Sequence, residues 1–467
     1  MFGNSRYRIT GTGTRDMGDG SIKITNRAGF SVQYYPNYKI IVNEVAKETY
    51  LMYQCGCYNR TRAFPASLVP ADTGFGKAKV FEGPLQSISA DDTSVGEFMN
   101  QCAVIDRVMY VTEYGVNGCY QRLGACGYTA PDPGWGNDAD KITQQVDAYI
   151  TYGATKNTKS IAMSAVAAST PLARSEWLKY FGAFFNKEYE AETLFRAIRN
   201  NYNALKRDAQ GTRPNPPLLV AWVYLGFSGD YVVSKPPYKV AYVEDAGGAV
   251  VSDDLLRASG FTTKDGQSWS IPQAYPEDWA AFLNQVDVII DESYTFATAC
   301  YVRLDDFLAG HKLTGAAVKA VTNRQVYTIA GMASQTLESG TVGLDWYERG
   351  TARADEVLRD FVRVLNPANA HSTMNNWNRR WLLRLNGETQ KRQAPVCDNK
   401  TANLNSKCQR ETFAFAICPN VIRNCTDGRM MVPGPAKRCE FVQQQKQAIR
   451  QLTNQGKRCN VPGKRLF

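Results

Sequence analysis

One segment of nearly 40 residues constrains the fold more than any other part of the chain. It runs from Pro171 to Asp208 as PLARSEWLKYFGAFFNKEYEAETLFRAIRNNYNALKRD and contains no proline after its first residue. Thr170 followed by Pro171 is typical of a helix start, because threonine caps a helix and proline fits its first turn. At about 1.5 Å per residue, one continuous helix would be about 55 Å long. Since this exceeds the size of one α/β lobe, the segment predicts a helix that joins two lobes.

Strand and helix patterns alternate on both sides of this segment. Before it come the strand-like runs FSVQYY, YKIIVNEV, TYLMYQC, PLQSISA, RVMYVTEY, DAYITY and SIAMSAV, with a helix that Ser94 opens after PLQSISA. After it come LLVAWVYL, YKVAYVEDAGG, DVIIDESY and VYTIAG, with helices between them and a last helix over 351–365. Such alternation is typical of parallel sheets covered by helices. We therefore predict an α/β fold of two lobes with parallel-sheet cores, joined by one long backbone helix.

A small disulfide-rich module is predicted at the C-terminus. Six of the 12 cysteines fall in this tail, and it has neither C-x-x-C spacing nor a histidine, which disfavours zinc. The predicted disulfide cysteines are Cys397, Cys408, Cys418, Cys425, Cys439 and Cys459. The predicted domains are an irregular N-terminal segment (1–28), an N-terminal lobe (29–168), a linking backbone helix (169–210), a C-terminal lobe (211–388) and the basic, Cys-rich tail (389–467).

The charge of the chain is concentrated in the tail. Residues 391–467 contain 15 Lys or Arg against 4 Asp or Glu and so have a net charge of +11. Because the whole chain has a net charge of +10, residues 1–390 together have −1. Such a tail is either a solvated surface or a binder of polyanions. As a partner of the tail we consider anionic polysaccharide, and we predict no specific binding of nucleic acid. Three sequons, at Asn59, Asn399 and Asn424, agree with an extracellular glycoprotein. We expect a secreted or cell-surface protein, whose signal peptide is not present in this chain.

Three segments resemble one protein family. The run DWYERGTARADEVLRDFVRVL at 345–365 is similar to the C-terminal segment of a cobalamin-binding receptor, and SISADDTSVGEFMNQCAVIDRVMYVTEYG and QQVDAYITYG resemble its strand, Ser/Thr-loop and helix pattern. The family is the class III, or helical-backbone, periplasmic substrate-binding proteins, which bind cobalamin, siderophores, haem and some metals for ABC transporters. The resemblance covers about residues 30–388. The tail and the strands at 30–55 depart from it, so the chain resembles a divergent, eukaryote-like member.

The resemblance implies ligand-binding residues after the strands of both lobes. They are Asp92, Thr93, Ser94, Tyr114, Tyr152, Arg174, Asp245, Tyr294 and Trp346. Aromatic faces offer much contact area to a bulky ligand, and hydroxyls and carboxylates orient it. Alternatives remain for three of these residues: Arg174 could pair with Glu176 or a neighbour at the surface, Asp245 could cap the turn, and Trp346 could be a core residue. Tyr347 is predicted to lie in the core.

Nothing in the sequence predicts an enzyme. His311 and His371 are the only histidines, and neither has a nucleophile or a metal-ligand partner at a useful spacing. Neither a G-x-S-x-G elbow nor a dinucleotide fingerprint occurs. Few histidines also disfavour a metal site, and no cofactor is predicted. The hypothesis is a protein that captures a ferric siderophore, haem or a corrinoid between two lobes and works with a membrane transporter or receptor. The alternative is an adhesive glycoprotein that keeps the fold without a ligand and acts through its tail.

Overall fold

The chain forms two compact units, which are described separately. The first comprises residues 1–167, 176–195 and 394–467, and the second comprises residues 168–175 and 196–393. The computed structural model describes residues 28–34, 38–54, 78–112, 114–125, 129–131, 145–226, 228–293, 301–314, 318–334, 343–369 and 371–392. The predictions for the N-terminal segment, the three sequons, Tyr294 and the six tail cysteines therefore lie outside the described residues.

The first unit contains a small sheet that matches the three strands predicted at 30–55. Its strands pair in the order β1-β2-β3-β4, antiparallel from β1 to β3 and parallel between β3 and β4. They are β1 (Phe30–Tyr34), β2 (Tyr38–Asn43), β3 (Glu48–Gln54) and β4 (Lys79–Gly83). β-branched and aromatic residues dominate these strands, which is the composition that a pleated and half-buried surface favours.

A second sheet in the first unit is entirely parallel. Its order is β7-β6-β5-β8-β9. The strands are β5 (Ile88–Ala90), β6 (Val108–Val111), β7 (Ala130–Pro131), β8 (Ala148–Thr151) and β9 (Ser160–Ala162), and the helices are α1 (Val95–Gln101) and α2 (Gly118–Ala125). The predicted parallel core is confirmed. Parallel strands end at one edge of a sheet, so this topology gathers the residues that follow β5, β6 and β8.

The predicted single long helix is wrong, because two helices occupy that segment. They are α3 (Pro171–Phe184) and α4 (Glu188–Gly211), and each contributes residues to both units. The predicted cap is present, since the Ala173 N–H donates to Thr170 Oγ1 over 3.1 Å. Asn186 takes a left-handed conformation with φ of 56°, and the Lys187 N–H donates to the carbonyl oxygen of Gly182 over 2.9 Å. A residue in this conformation commonly ends a helix. It is usually glycine and only sometimes asparagine, so the helix end at Asn186 is hard to recognise from the sequence.

The second unit is built on a mixed sheet with a parallel centre. Its order is β13-β14-β11-β10-β15-β16-β18, with β12 also paired to β10, and β10, β12, β15 and β16 are parallel. These strands are β10 (Leu219–Leu225), β11 (Tyr231–Ser234), β12 (Ala249–Val250), β13 (Thr262–Thr263), β14 (Ser268–Ile271), β15 (Val288–Asp291), β16 (Val326–Thr328) and β18 (Leu383–Arg384); β17 (Met332–Ala333) pairs with β19 (Lys391–Arg392).

Helices pack on both faces of this sheet. They are α5 (Pro237–Asp245), α6 (Asp253–Ala258), α7 (Pro276–Leu283), α8 (Leu304–Gly310), α9 (Lys319–Thr322), α10 (Arg349–Ala352) and α11 (Ala354–Leu365). One apolar core includes Trp222 and Phe361, and another includes Val223 and Trp279. Neighbouring residues of β10 thus face opposite cores, as the two-residue period of a strand requires. None of the described helices is long and apolar enough to cross a membrane.

The strand predicted over YKVAYVEDAGG is wrong, because this segment forms α5. Pro237 stands in the first turn, and Lys239, Tyr242 and Val243 are buried at helical spacing. The Tyr242 ring stacks on Phe361 of α11, with ring centroids 5.4 Å apart. The strand that the sequence analysis missed is β11, which pairs antiparallel with β10.

Candidate ligand-binding site

Five of the predicted site residues lie at one edge of the first unit's parallel sheet. Asp92, Thr93 and Ser94 follow β5, Tyr114 follows β6, and Tyr152 follows β8. Because β5 pairs in parallel with β6 on one side and β8 on the other, the carboxyl ends of these three strands are neighbours. Ligands of α/β proteins commonly bind at such edges. The topology therefore brings together the residues that the sequence predicted for this lobe.

Asp92 lies in the middle of this edge and is held in a tight turn. Its Oδ1 accepts a hydrogen bond of 2.7 Å from the backbone N–H of Ser94, and its side chain is 6% exposed. Burial raises the pKa of the Asp92 carboxyl to about 6, against the lowering effect of the hydrogen bonds from Ser94. A carboxyl with this pKa changes its charge close to neutral pH, which is a property more frequent at functional sites than elsewhere.

The two tyrosines beside Asp92 differ from it in exposure. Tyr152 is 69% exposed, which is unusual for an aromatic side chain of this size, while Tyr114 is partly buried. Thr151, the residue before Tyr152, donates through Oγ1 to the carbonyl oxygen of Gly153 over 2.7 Å and so fixes the turn. An exposed aromatic side chain on a fixed turn suits contact with a large apolar ligand.

A buried ion pair follows β15 in the second unit, and sequence reasoning missed it. Lys239 of α5 binds Glu292, with the two side chains 5% and 12% exposed, and Lys239 Nζ donates to Ser234 Oγ over 2.8 Å. The same Nζ lies 4.9 Å from the centre of the Trp222 ring. Desolvation makes such a pair expensive, so it is a weak source of stability. The pair could not be anticipated because the segment that holds Lys239 was predicted as a strand.

Arg174 packs against an aromatic ring of the second unit. Its guanidinium lies 3.4 Å from the centre of the Tyr238 ring, and its Nε donates to the carbonyl oxygen of Ala168 over 3.3 Å. Glu176, the alternative partner, is fully buried and binds Lys179 over 2.9 Å. The surface pair of Arg174 with Glu176 is therefore wrong, and the ligand-binding role of Arg174 stays a prediction.

Asp245 does not follow a strand, contrary to the expectation for it. It is the last residue of α5, and its carboxylate binds Tyr202 and Lys206 of α4 over 2.6 Å and 2.8 Å. Since both oxygens have partners within the second unit, Asp245 connects two helices. We leave it out of the site proposed below.

Trp346 and Tyr347 differ from each other in burial. Trp346 is 5% exposed, and its ring centroid lies 5.7 Å from that of Trp222 and 6.5 Å from that of Tyr242. Tyr347 is 40% exposed, so its predicted core position is wrong. Of the two environments open to Trp346, the structure has it in the core. Both residues lie in the turn that precedes α10, where neither the alternation of a strand nor the period of a helix predicts which side chains are buried.

His311 has a buried carboxylate and a serine beside it, which the sequence did not show. Its Nε2 is 3.1 Å from Asp291 Oδ1 and 3.5 Å from Ser293 Oγ, and Ser293 itself donates to Asp291 over 2.7 Å. A hydrolase triad needs the serine and the carboxylate on opposite ring nitrogens, but both lie at Nε2 here. His311 is fully buried as well. In the described part of the chain, no group of three or more His, Cys, Asp or Glu side chains could hold a metal ion.

Comparisons with known proteins give one curated relative and several similar folds. No family model matches the chain. An uncharacterized lipoprotein of Methanocaldococcus jannaschii is 26% identical over 234 residues, which are 50% of this chain and 46% of the relative. The chain thus matches less than half the length of that relative.

The similar solved structures are periplasmic or ABC-transporter solute-binding proteins. A periplasmic solute-binding protein of Veillonella parvula has a TM-score of 0.42 at 14% identity, covering 64% of this chain and 84% of its own. An ABC-transporter solute-binding protein of Sulfurospirillum deleyianum has a TM-score of 0.42 at 14% identity, and the match covers 66% of this chain and 91% of that protein. The periplasmic haem-binding protein HutB of Vibrio cholerae has a TM-score of 0.42 at 15% identity, and the match covers 60% of this chain and 99% of that protein. Values of this size assign no ligand to the chain.

Proposed function

We propose that this chain is a solute-binding protein that acts outside the cytoplasm and captures a bulky organic ligand or metal chelate, with a ferric siderophore, haem or a corrinoid as the candidates. It works as a receptor and not as an enzyme, and it passes its ligand to a membrane transporter or receptor. The observation that carries the proposal is the parallel edge of the first unit, where Asp92, Tyr114 and Tyr152 follow three neighbouring strands.

Three further observations support the proposal. The second unit also has parallel strands at its centre, and Glu292, which follows one of them, pairs with Lys239 of α5. The curated relative is described as a lipoprotein, a class of protein anchored outside the cytoplasm. The sequence segments that resemble class III receptors include the loops after β5 and β8.

The proposal is tested by titrating the purified protein with ferrichrome, haemin and cyanocobalamin. Tryptophan fluorescence and thermal shift are the two readouts, and native mass spectrometry of protein from its source identifies any ligand that co-purifies. Tyr152→Ala is expected to weaken binding by about 10-fold, because a large aromatic contact surface is lost.

The matched control is Tyr189→Ala. Tyr189 is 71% exposed, close to the 69% of Tyr152, but it lies in α4 and not after a strand. This variant should bind like the wild type. Equal effects of the two substitutions, or the absence of any bound compound in all three titrations and in the native spectra, would contradict the proposal and favour the adhesive alternative.

A further inference from the structure

Two buried oxygen atoms at the edge of the first unit's parallel sheet lack hydrogen-bond partners. They are Asp92 Oδ2 and Ser94 Oγ. The Ser94 side chain acts on the Asp92 carboxyl and lowers its pKa, but neither atom has a hydrogen bond of ordinary geometry within the described part of the chain. The two side chains are 6% and 2% exposed. A buried polar atom without a partner destabilises the folded state, so native proteins contain few of them. Two such atoms in one three-residue turn call for an explanation.

The turn itself does not need these atoms. Asp92 Oδ1 alone closes it by accepting from the Ser94 N–H, and the Ser94 side chain makes no capping bond to α1. An asparagine and an alanine could therefore form the same turn. The unpaired oxygens are extra to the local structure, which is the pattern expected of groups that are kept for a ligand.

The electrostatic setting of Asp92 favours some ligands over others. Within the described residues, the carboxylate of Asp91 acts on it as a like charge and raises its pKa. An approaching carboxylate or phosphate would meet two like charges in a site of low dielectric. A neutral N–H or O–H donor, or a cation, would instead give Oδ2 its missing partner.

We propose that Asp92 and Ser94 form an acceptor subsite that binds N–H or O–H donors of a neutral or cationic ligand and excludes ligands that present a carboxylate there. This inference rests on the proposed function and deepens it. Among the candidate ligands, a corrinoid presents neutral primary amides at its rim, whereas haem presents two propionates. Because both oxygens are covered in this structure, binding includes a local movement of side chains at the edge.

The first test needs no ligand. Asp92→Asn keeps the acceptor for the Ser94 N–H and removes the buried charge. Its Tm is expected to rise by about 2–4 °C at pH 8, and the difference should shrink as the pH falls and vanish near pH 3, where Asp92 is protonated in both the folded and the unfolded state. Ser94→Ala should keep or raise Tm at both pH values. A lower Tm for both variants would assign these residues a structural role and overturn the inference.

The second test measures binding at pH 8 with cyanocobalamin and haemin as probes. Asp92→Asn should weaken cyanocobalamin binding by about 10- to 100-fold, the loss expected for a hydrogen bond to a charged group, and should not weaken haemin binding. The charge-matched control is Asp254→Asn, because the Asp254 side chain in α6 is 95% exposed. This substitution should change the dissociation constant of neither probe. Tighter binding of haemin than of cyanocobalamin by the wild type would overturn the inference.

The two proposals fail in different ways. If the wild type binds none of the bulky probes, the proposed ligand class is wrong, and the Tm comparison alone then decides the role of Asp92 and Ser94. If the wild type binds cyanocobalamin and Asp92→Asn binds it equally well, the proposed function stands and the acceptor subsite does not.

Discussion

At the scale of the single residue, burial decides what Trp346 can do. Its indole packs between Trp222 and Tyr242 and closes an apolar core of the second unit. Trp346→Ala is therefore expected to lower the free energy of unfolding by about 3–5 kcal/mol, because it leaves a large cavity. Tyr347→Ala, at a position 40% exposed, should change it by less than about 0.5 kcal/mol. Urea unfolding followed by circular dichroism measures both values. A Trp346→Ala protein of full stability would show that the indole is outside the core.

A second residue-scale prediction concerns Glu356 in α11. Burial alone would raise the pKa of its carboxyl, but hydrogen bonds and charge from Arg349, with the charge of Arg353, outweigh burial and lower that pKa to about 2. Arg349 Nε donates to Oε2 over 2.8 Å, and Arg353 Nη1 lies 2.8 Å from Oε1. A lowered pKa stabilises the folded state fully at pH values above the ordinary glutamate pKa of 4.5, and this stabilisation is lost as the pH falls towards 2.

Glu356→Gln should consequently lower the free energy of unfolding by about 3 kcal/mol at pH 7, and the difference should shrink below about pH 4.5. Urea unfolding at pH 7, 4 and 3 checks it. Glu190→Gln serves as the control, since its side chain is 45% exposed and binds Lys187 at the surface. A difference between wild type and Glu356→Gln that is the same at every pH would rule out the ionised pair as its cause.

At the scale of the element, the break between α3 and α4 depends on close packing as well as on Asn186. A Cβ at Gly182 would lie 2.9 Å from Cβ of Ala191 and 3.1 Å from the carbonyl oxygen of Lys187. Gly182→Ala should lower the free energy of unfolding by about 1–3 kcal/mol, although alanine favours helices over glycine. Gly211→Ala at the end of α4 is the matched control, because a Cβ there meets nothing within 4 Å. It should be neutral or slightly stabilising, and equal effects of the two changes would contradict the packing explanation.

Elements with a strong pattern could be predicted from the sequence, and those fixed by tertiary contacts could not. Apolar runs gave β5, β6, β8 and β10, and hence the parallel edge with Asp92, Tyr114 and Tyr152. The segment of α5 misled because its apolar residues suit a strand as well as a helix, and only packing on Phe361 decides. The pair of Lys239 and Glu292 depends on α5, so it could not be found either. The unpartnered Asp92 Oδ2 is visible only when burial is known.

At the scale of the whole molecule, α3 and α4 each contribute residues to both units. Residues 168–175 belong to the second unit, 176–195 to the first, and the chain returns to the second at 196. Each helix is cooperative along its length, so loss of its packing in one unit removes support from the residues that it gives to the other. Ser175 Oγ, for example, accepts the Ala354 N–H at the start of α11 over 3.1 Å within the second unit.

The last prediction follows from this shared segment. Gly182→Ala acts in the first unit, yet it should lower the protection of backbone amides in β3 and in β15 together, because α3 and α4 contribute residues to both units. Hydrogen exchange with mass spectrometry, compared among the wild type, Gly182→Ala and the control Gly211→Ala, resolves peptides from both strands. If exchange rises in β3 while β15 keeps its wild-type protection, the units are independent, and a ligand bound to one of them could not stabilise the other through α3 and α4.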